Sequence, residues 1–458
     1  MDEYKHYKLR CKTMTPVHIG TGESLASIGD YYTSSNRLFI IDKAKLDLYI
    51  DPVNNKDFFV RYLSEIKKNV SLSKSDFSIV PFLKENGIEL EKVTSEIAVP
   101  IMTSGYKSHK NSQLKLAVKQ KKQLYLPGSS IKGAIKTALF YHYLISNPDV
   151  LSKWNKSIEN SSSKQKYLEE WATSVERGFN QFFKGEKCDY NLLRIDDSPS
   201  LDNECRGVWE TARFHLYKSN EEILTWLTEA IAPGTSFNMG ITLLPKFNVN
   251  FLKFLNDADI TTIFSIINKF SKDQLVKEIK EIETSRLSQE VKSIIVDQLK
   301  QLLNVIQNDN QAIIRIGAGK SFFYNTVCTL LDKTHMEILR STVKIGKIDE
   351  SIFPLTRTIT TDYKQFGWIL MELQPIEIGD LPVNIISEIE NNITELEAVI
   401  VNDRKVRVKL NETEFDVQLV LPMEHKNIHL TKGEHVNVVV KQISKDKRII
   451  QVNFKSKI

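Results

Sequence analysis

LPGSSIKGAIKTALFYHYL (residues 126–144) places a proline, a glycine and two serines immediately before an apolar run. Pro127 and Gly128 are residues that end a preceding element, and the apolar residues after them recur at helical spacing. Ser129 and Ser130 are both favourable amino-terminal caps. The stretch therefore predicts a helix that begins here and is capped by one of the two serines.

The start of this predicted helix also has the features of an anion site. Its first amides lack intrahelical partners and carry the positive end of the helix dipole. Gly128 and Gly133 have no side chain to keep a ligand away, and Lys132 and Lys136 share one helix face. These features predict a phosphate bound at the serines and lysines of the first turns. A capped core helix whose glycine allows close packing is the alternative that the residues leave open.

A basic block precedes the predicted helix. Asp and Glu are absent from Ile97 to Pro148, whereas lysines are frequent there. A charge run is often only a solvated surface, but this one leads directly into the predicted anion site, which favours a polyanion as the ligand. The lysines of the block that come before the helix are Lys107, Lys110, Lys115, Lys119, Lys121 and Lys122.

The composition is that of an ordinary globular protein. With 458 residues the chain is expected to hold about three domains, and its net charge of +5 permits a nucleic-acid partner without requiring one. The four cysteines form no CxxC pair, so neither a disulfide framework nor a zinc site is predicted, and we expect no cofactor or metal. No apolar run approaches the roughly 20 residues of a membrane span, which favours a cytoplasmic protein.

Short strands alternate with helical segments along the chain, which predicts an α+β fold. Helical periods extend over residues 150–186 and 255–308, which we interpret as packed surface insertions. The segment IGAGKS (316–321) is similar to a nucleotide-binding loop, but the spacing of that motif requires glycine where Ile314 stands. An NTPase is therefore not predicted.

Six segments occur in an order that resembles the RAMP superfamily of CRISPR proteins. The resemblance extends over about residues 4–375 and, within the superfamily, is strongest to the subunits that cap the crRNA 3′ side of type III-A (Csm) effector complexes. The segments are TPVHIGTGE (15–23), LYLPGSSIKGAIKTALF (124–140), LLRIDDSP (192–199), EAIAPGTSFNMGITL (229–243), IRIGAGKSFF (314–323) and GWILMEL (367–373).

The resemblance implies an architecture and a function. The fold would comprise two ferredoxin-like, RNA-recognition-like (RAMP) domains with helical insertions, at residues 1–225 and 226–385. The chain would bind crRNA in a Csm interference complex, support crRNA maturation and antiviral defence, and act as a binding protein rather than an enzyme. Its implied partners are crRNA, target RNA, other Csm subunits (above all the repeating backbone subunit) and a trimming nuclease, with no membrane.

The resemblance also implies how RNA is bound. Glycine-rich turns and lysines would hold the crRNA backbone rather than read its bases, with the lysines of the basic block along RNA or a neighbouring subunit. In addition to the residues of the predicted helix start and the basic block, the implied RNA-binding residues are Gly20, Gly22, Gly317, Gly319 and Lys320.

Residues 393–458 continue past the region of resemblance. Apolar and polar residues alternate over four segments there, which predicts a small added β-barrel similar to an OB or S1 fold. Phe415 and Phe454 are its only large aromatic residues, whereas single-stranded RNA platforms normally use several. RNA binding by charge and docking to another protein are both open.

An enzyme is the alternative class. In the repeating backbone subunits of such complexes an aspartate after the first strand helps to cleave target RNA, and Asp30 is at a comparable place, with Glu23 as the nearest other acidic residue. A turn between strands is the simpler interpretation of Asp30. A crRNA-processing endonuclease would need a histidine as general base, for which His18 and His142 are the candidates.

Overall fold

The computed structural model describes most of the chain in fifteen ranges. They form two compact units, Met1–Glu372 and Leu373–Ile458. The ranges are residues 5–26, 30–34, 37–42, 98–104, 113–162, 193–217, 222–243, 259–306, 308–343, 354–374, 396–402, 405–410, 413–421, 428–443 and 449–457, with isolated positions between 57 and 84.

Strands and helices are both abundant in these ranges, so the predicted α+β class is confirmed. The strands are β1 (Lys5–Thr13), β2 (Gly20–Ala26), β3 (Tyr31–Ser34), β4 (Arg37–Ile41), β5 (Ala98–Ser104), β6 (Gln113–Ala117), β7 (Lys119–Gln120), β8 (Gln123–Leu124), β9 (Leu193–Ile195), β10 (Arg206–His215), β11 (Glu222–Ile231), β12 (Ser236–Leu243), β13 (Gln311–Arg315), β14 (Thr356–Thr360), β15 (Trp368–Leu373), β16 (Leu396–Asn402), β17 (Lys405–Leu410), β18 (Thr413–Val420), β19 (His435–Ile443) and β20 (Ile449–Lys457). The helices are α1 (Gly128–Ser146), α2 (Pro148–Ser162), α3 (Ile260–Thr284), α4 (Gln289–Val305), α5 (Ser321–Asn325) and α6 (Lys333–Val343).

The described part of the first unit contains two large sheets, and β7 and β8 form a separate two-stranded sheet. A five-stranded sheet has the order β13-β15-β1-β12-β9, and a longer sheet has the order β2-β6-β11-β10-β5-β4-β3, with β14 also paired to β10. The five-stranded sheet joins strands from both ends of the unit, and the predicted domain boundary at 225/226 falls inside β11.

The long helices α3 and α4 cover one end of the core. Asp259 caps α3 by accepting a hydrogen bond from the Thr262 N–H at 3.0 Å, and Ser288 caps α4. Their inner faces pack with Phe214 and Trp368 in one apolar cluster. Helices thus occur within 255–308 as predicted, but they form part of the core and are more than a surface insertion. Helix α2 ends at Ser162, and the rest of the predicted helical segment 150–186 lies outside the described residues.

The second unit contains the predicted barrel. Its strands close in the order β16-β17-β18-β20-β19, with β18 and β20 parallel and the other pairs antiparallel. Alternate residues point inward and form an apolar cluster that includes Val406, Val436 and Phe454. None of the described helices in the chain is both long and apolar enough to cross a membrane.

Candidate nucleic-acid interface

The start of α1 is capped from a distant segment. Pro127 occupies the cap position with extended backbone and makes no side-chain cap hydrogen bond, while Ser129 and Ser130 lie inside the first turn. The prediction that a serine caps this helix is therefore wrong. The Gly128 N–H donates instead to the Asp197 carboxylate at 2.8 Å. The protein's own carboxylate thus supplies the negative charge that a helix start favours.

Gly128 is required by a close approach between helix and strand. A Cβ on this residue would lie 2.2 Å from the Ile195 carbonyl oxygen at the end of β9. By contrast, a Cβ on the exposed Gly133 would have no atom within 4 Å. Lys132 and Lys136 are half-buried on the same helix. The close-packing alternative thus applies to Gly128, and the predicted phosphate site depends mainly on the two lysines.

The two glycine-rich turns, the first at residues 20–22 and the second at residues 317–319, are far apart in sequence but meet in the structure. The Ala318 N–H donates to the His18 carbonyl at 2.9 Å. Gly317 has φ +65°, and a Cβ there would lie 2.2 Å from the same His18 oxygen. Gly319 and Gly22 also have positive φ, of +79° and +87°. Gly20 and Gly317, one from each turn, therefore both lie against His18.

His18 is a structural residue in this arrangement. It is 6% exposed, and its Nδ1 donates to the Glu229 carbonyl at 2.6 Å. Burial lowers the pKa of His18, which favours the neutral imidazole. Its Nε2 lies beneath Gly20, where a Cβ would approach to 2.9 Å. The buried ring supports the first glycine turn from below.

The carboxylate of Glu229 accepts hydrogen bonds from several groups beneath the same turn. The fully buried Glu229 accepts from the Ala117 N–H at 2.9 Å, from the Arg206 guanidinium, and from the Lys119 ammonium at 3.0 Å. Burial lowers the pKa of Lys119. Lys119, a predicted RNA-binding residue, is thus an ion-pair partner of a buried acid. Sequence reasoning missed Glu229, because only the fold brings it beside β6 and β7.

Of the other lysines of the basic block, Lys115 lies on β6, and the rest lie at a tight turn or outside the described residues. Lys121 and Lys122 connect β7 to β8 with positive φ of 50° and 70°, and both are exposed. The Lys122 ammonium lies 3.7 Å from the Asp42 carboxylate. The predictions for Lys107 and Lys110 fall on residues that the structure does not describe.

Lys320, at the second glycine turn, is half-buried next to Arg315. Within the described chain its ammonium has no recorded hydrogen bond or ion pair. Burial, followed by the charge of Arg315, lowers the pKa of Lys320 to about 8. Arg315 itself is engaged by Glu278 at 3.3 Å, by Gln365 at 2.8 Å and by the Phe366 carbonyl at 2.9 Å. Among the described residues of this turn, Lys320 is therefore the cation without an ion-pair partner.

A buried network fixes the base of the second turn. Glu278 on α3 accepts from Arg315, from Arg357 at 3.1 Å and from the Tyr324 hydroxyl at 2.8 Å. All four residues are at most 3% exposed. Such a fully paired network holds its members in one geometry. The helical period places Glu278 among core positions of α3, which is the only sequence signal for it.

The candidate catalytic residues occupy structural positions. The Asp30 carboxylate accepts from the Ala26 N–H at 2.8 Å, and its carbonyl accepts from the Ile41 N–H at 2.9 Å, as in a turn residue. Glu23 is exposed on β2. Burial and then the charge of Lys269 lower the pKa of His142 on α1. Among the described residues no group of three or more His, Cys, Asp or Glu side chains could hold a metal.

The family model of the RAMP superfamily matches residues 10–324. Two curated relatives carry the name CRISPR system Cms protein Csm5. The protein from Methanocaldococcus jannaschii is 27% identical over 343 residues, which cover 72% of this chain and 75% of the relative. The protein from Streptococcus thermophilus is 23% identical over 256 residues, which cover 53% and 65%.

Solved structures show the same fold at low identity. A chain of a Csm–crRNA–target RNA ternary complex, determined by cryo-electron microscopy, matches with a TM-score of 0.59 and 18% identity, over 80% of this chain and 100% of that chain. The crystal structure of T. onnurineus Csm5 matches with a TM-score of 0.52 and 17% identity, over 79% and 99%. Because the family model spans more than half of the 458 residues, the chain belongs to the RAMP superfamily.

Proposed function

We propose that this chain is a crRNA-binding subunit of a type III-A (Csm) CRISPR interference complex. It lies at the 3′ side of the crRNA and supports crRNA maturation and antiviral defence in the prokaryotic cytoplasm. Two curated relatives named Csm5 and a structural neighbour within a Csm–crRNA–target RNA complex support this assignment. Its partners are crRNA, target RNA, the other Csm subunits (especially the repeating backbone subunit) and a trimming nuclease.

The junction of the two glycine turns is the observation that carries the proposal. Gly317 and Gly319 are partly exposed and have positive φ, and they precede Lys320, whose ammonium has no hydrogen bond or ion pair among the described residues. Backbone amides and a lysine bind phosphate oxygens without reading bases. A subunit that holds crRNAs of many sequences needs this kind of contact.

The architecture is consistent with this function at a finer level. We interpret the first unit as RNA-recognition-like (RAMP) domains that share strands between their sheets. In the second unit the strand order, with its parallel contact between the third and fifth strands, is that of an OB-like barrel. Because 80% of this chain matches all of the neighbour in the ternary complex, about a fifth of the chain has no counterpart there.

We expect the barrel to contribute mainly protein contacts. On the outer face of β17 and β18, where OB folds usually bind oligonucleotides, Arg407 pairs with Asp416 at 2.9 Å, which neutralises its charge. Phe454 is 3% exposed and points into the barrel, so this aromatic residue is not positioned to stack on bases from outside.

We expect no enzymatic activity from this chain. The Asp30 carboxylate accepts a hydrogen bond within its own turn, and the buried His18 supports a glycine turn, which favours a structural role for each. An endoribonuclease that acts on target RNA through Asp30, or on crRNA precursors through His18 or His142, remains the alternative and is tested below.

Sequencing of bound RNA tests the proposal. The tagged chain is expressed with a CRISPR array and the other Csm proteins, purified under native conditions, and its RNA and protein content are determined. We expect crRNAs together with Csm subunits. Recovery of messenger RNA in place of crRNA, or of no RNA, would contradict the proposed function.

A further inference from the structure

The eight-stranded sheet carries a cation on an aromatic ring close to the first glycine turn. Lys115 is exposed on β6, and its Nζ lies 3.9 Å from the centre of the Trp226 ring. In the parallel pairing of β6 with β11, Lys115 is opposite Thr228, so its side chain lies on the same sheet face as Trp226. The ring provides a fixed support that holds the ammonium on this face.

A second cation lies on the same face. Arg213 is exposed on β10, directly opposite Leu224 in the pairing with β11. Leu224 and Trp226 are two residues apart and therefore share this face. The pKa of Lys115 is lowered by its partial burial and then by the charge of Arg213. Within the described chain, neither cation has a recorded ion pair with an acidic residue.

Two neighbouring cations that repel each other form a site for an anion, because a negative group between them removes the repulsion. The charge of Lys115 also acts on His18, which lies beneath the first glycine turn. We propose that Lys115 and Arg213 form an additional RNA-phosphate contact, which extends the interface from the glycine turns across the sheet face. The inference rests on the proposed crRNA-binding function.

RNA fits this face better than a protein partner does. Trp226 is 6% exposed and covered by Lys115, so among the described residues of this face the main exposed apolar group is Leu224, which is 57% exposed. A protein interface needs a buried apolar centre, and one leucine side chain does not supply it. A phosphate contact needs only the two cations, which are both exposed.

The test measures the salt dependence of crRNA binding by the full chain. Fluorescence anisotropy with labelled crRNA compares wild type with Lys115→Ala, Arg213→Ala and the double variant between 50 and 200 mM salt. Each lost phosphate contact flattens the slope of log K against log salt by about 0.7 for single strands, so we expect about 1.4 for the double variant. The wild-type advantage then increases about sevenfold from 200 to 50 mM salt.

Two further variants separate a phosphate contact from a structural role. Lys280→Ala removes an exposed lysine on α3 and should leave the slope unchanged. Lys115→Arg keeps the positive charge and should keep the wild-type salt slope. If Lys115 had only a structural role, Lys115→Arg would instead change RNA binding as much as Lys115→Ala does.

The outcomes distinguish this inference from the function on which it rests. Wild-type crRNA binding with an unchanged slope in the double variant overturns the phosphate contact and leaves the proposed function intact. Loss of assembly with Csm proteins at an unchanged RNA slope also overturns it, since the face would then bind protein. A wild-type chain that fails to bind crRNA overturns both.

Discussion

Replacement of Lys320 by methionine should stabilise the protein and weaken RNA binding at the same time. The ammonium is half-buried beside Arg315 and lacks a recorded partner within the described chain, and its pKa is lowered from 10.5 to about 8. The difference of 10.5 minus 8 corresponds to about 3 kcal/mol between the two protonation states. Because solvent reaches part of the side chain, we expect Lys320→Met to raise the free energy of unfolding by about 1–2 kcal/mol at pH 7.

The pH dependence has a defined sign. Since the folded-state pKa of Lys320 is below its unfolded value, the unfolded chain binds more protons between about pH 8 and 10.5. The contribution of Lys320 therefore makes wild-type stability rise with pH over that window, relative to Lys320→Met. RNA binding changes in the opposite direction, because the neutral amine that forms above pH 8 no longer attracts phosphate. At pH 7 and low salt we expect Lys320→Met to bind crRNA about tenfold more weakly, or ~1.4 kcal/mol.

Urea unfolding followed by tryptophan fluorescence measures the stability effect. All five tryptophans are at positions up to 368, so the signal reports on the first unit alone. Lys280→Met, on the exposed face of α3, is the matched control and should change neither quantity. A Lys320→Met protein that is less stable than wild type at pH 7, or that binds crRNA equally well, would refute the argument that Lys320 is a desolvated cation kept for phosphate.

Five further changes have defined outcomes. Lys132→Ala and Lys136→Ala should weaken RNA binding equally for all sequences and each flatten the salt slope by about 0.7, which anisotropy titrations check; unchanged slopes would show that both face solvent. A chain ending at Ser387 should stay folded by circular dichroism, and a loss of RNA affinity above ~1.4 kcal/mol would make the barrel an RNA-binding domain. Asp30→Ala complexes should give the same cleavage of labelled target RNA as wild type at single-nucleotide resolution, and loss of any one cut would reveal a catalytic role. Asp197→Ala should lower the free energy of unfolding by about 1 kcal/mol, with an unchanged RNA salt slope; an unaltered stability would contradict its capping role.

Local patterns in the sequence predicted local structure well. The helical period in 126–144 matches α1, which spans Gly128–Ser146, because apolar spacing and breaker residues act within a few positions. The cap of the same helix was predicted wrongly, because Asp197 is 69 positions from Gly128. A serine beside a helix start is only one of the acceptors that a fold can bring to its first amides.

Long-range pairing also explains what sequence could not show about the lysines. In the sequence, Lys119 is one of several positive charges in the basic block. In the structure it forms an ion pair with the buried carboxylate of Glu229, which is more than a hundred positions later. Lys115, in the same block, has no recorded acidic partner within the described chain and lies on an aromatic ring instead. Only the pairing of strands distinguishes the two lysines.

Under the proposed function, the contrast between Lys119 and Lys320 favours the second glycine turn as the RNA contact. The two glycine turns touch through the His18 carbonyl. We therefore expect an RNA backbone that contacts one turn to pass the other turn as well. At the first turn the cations Lys119 and Arg206 share one buried carboxylate, and they mainly support the turn. At the second turn a similar carboxylate, Glu278, is used by two arginines, which leaves the Lys320 ammonium unpaired among the described residues. Arginines are thus paired inside to fix geometry while a lysine is left for the ligand, which is the division of roles expected when a rigid base must present one mobile charge to many different RNA sequences.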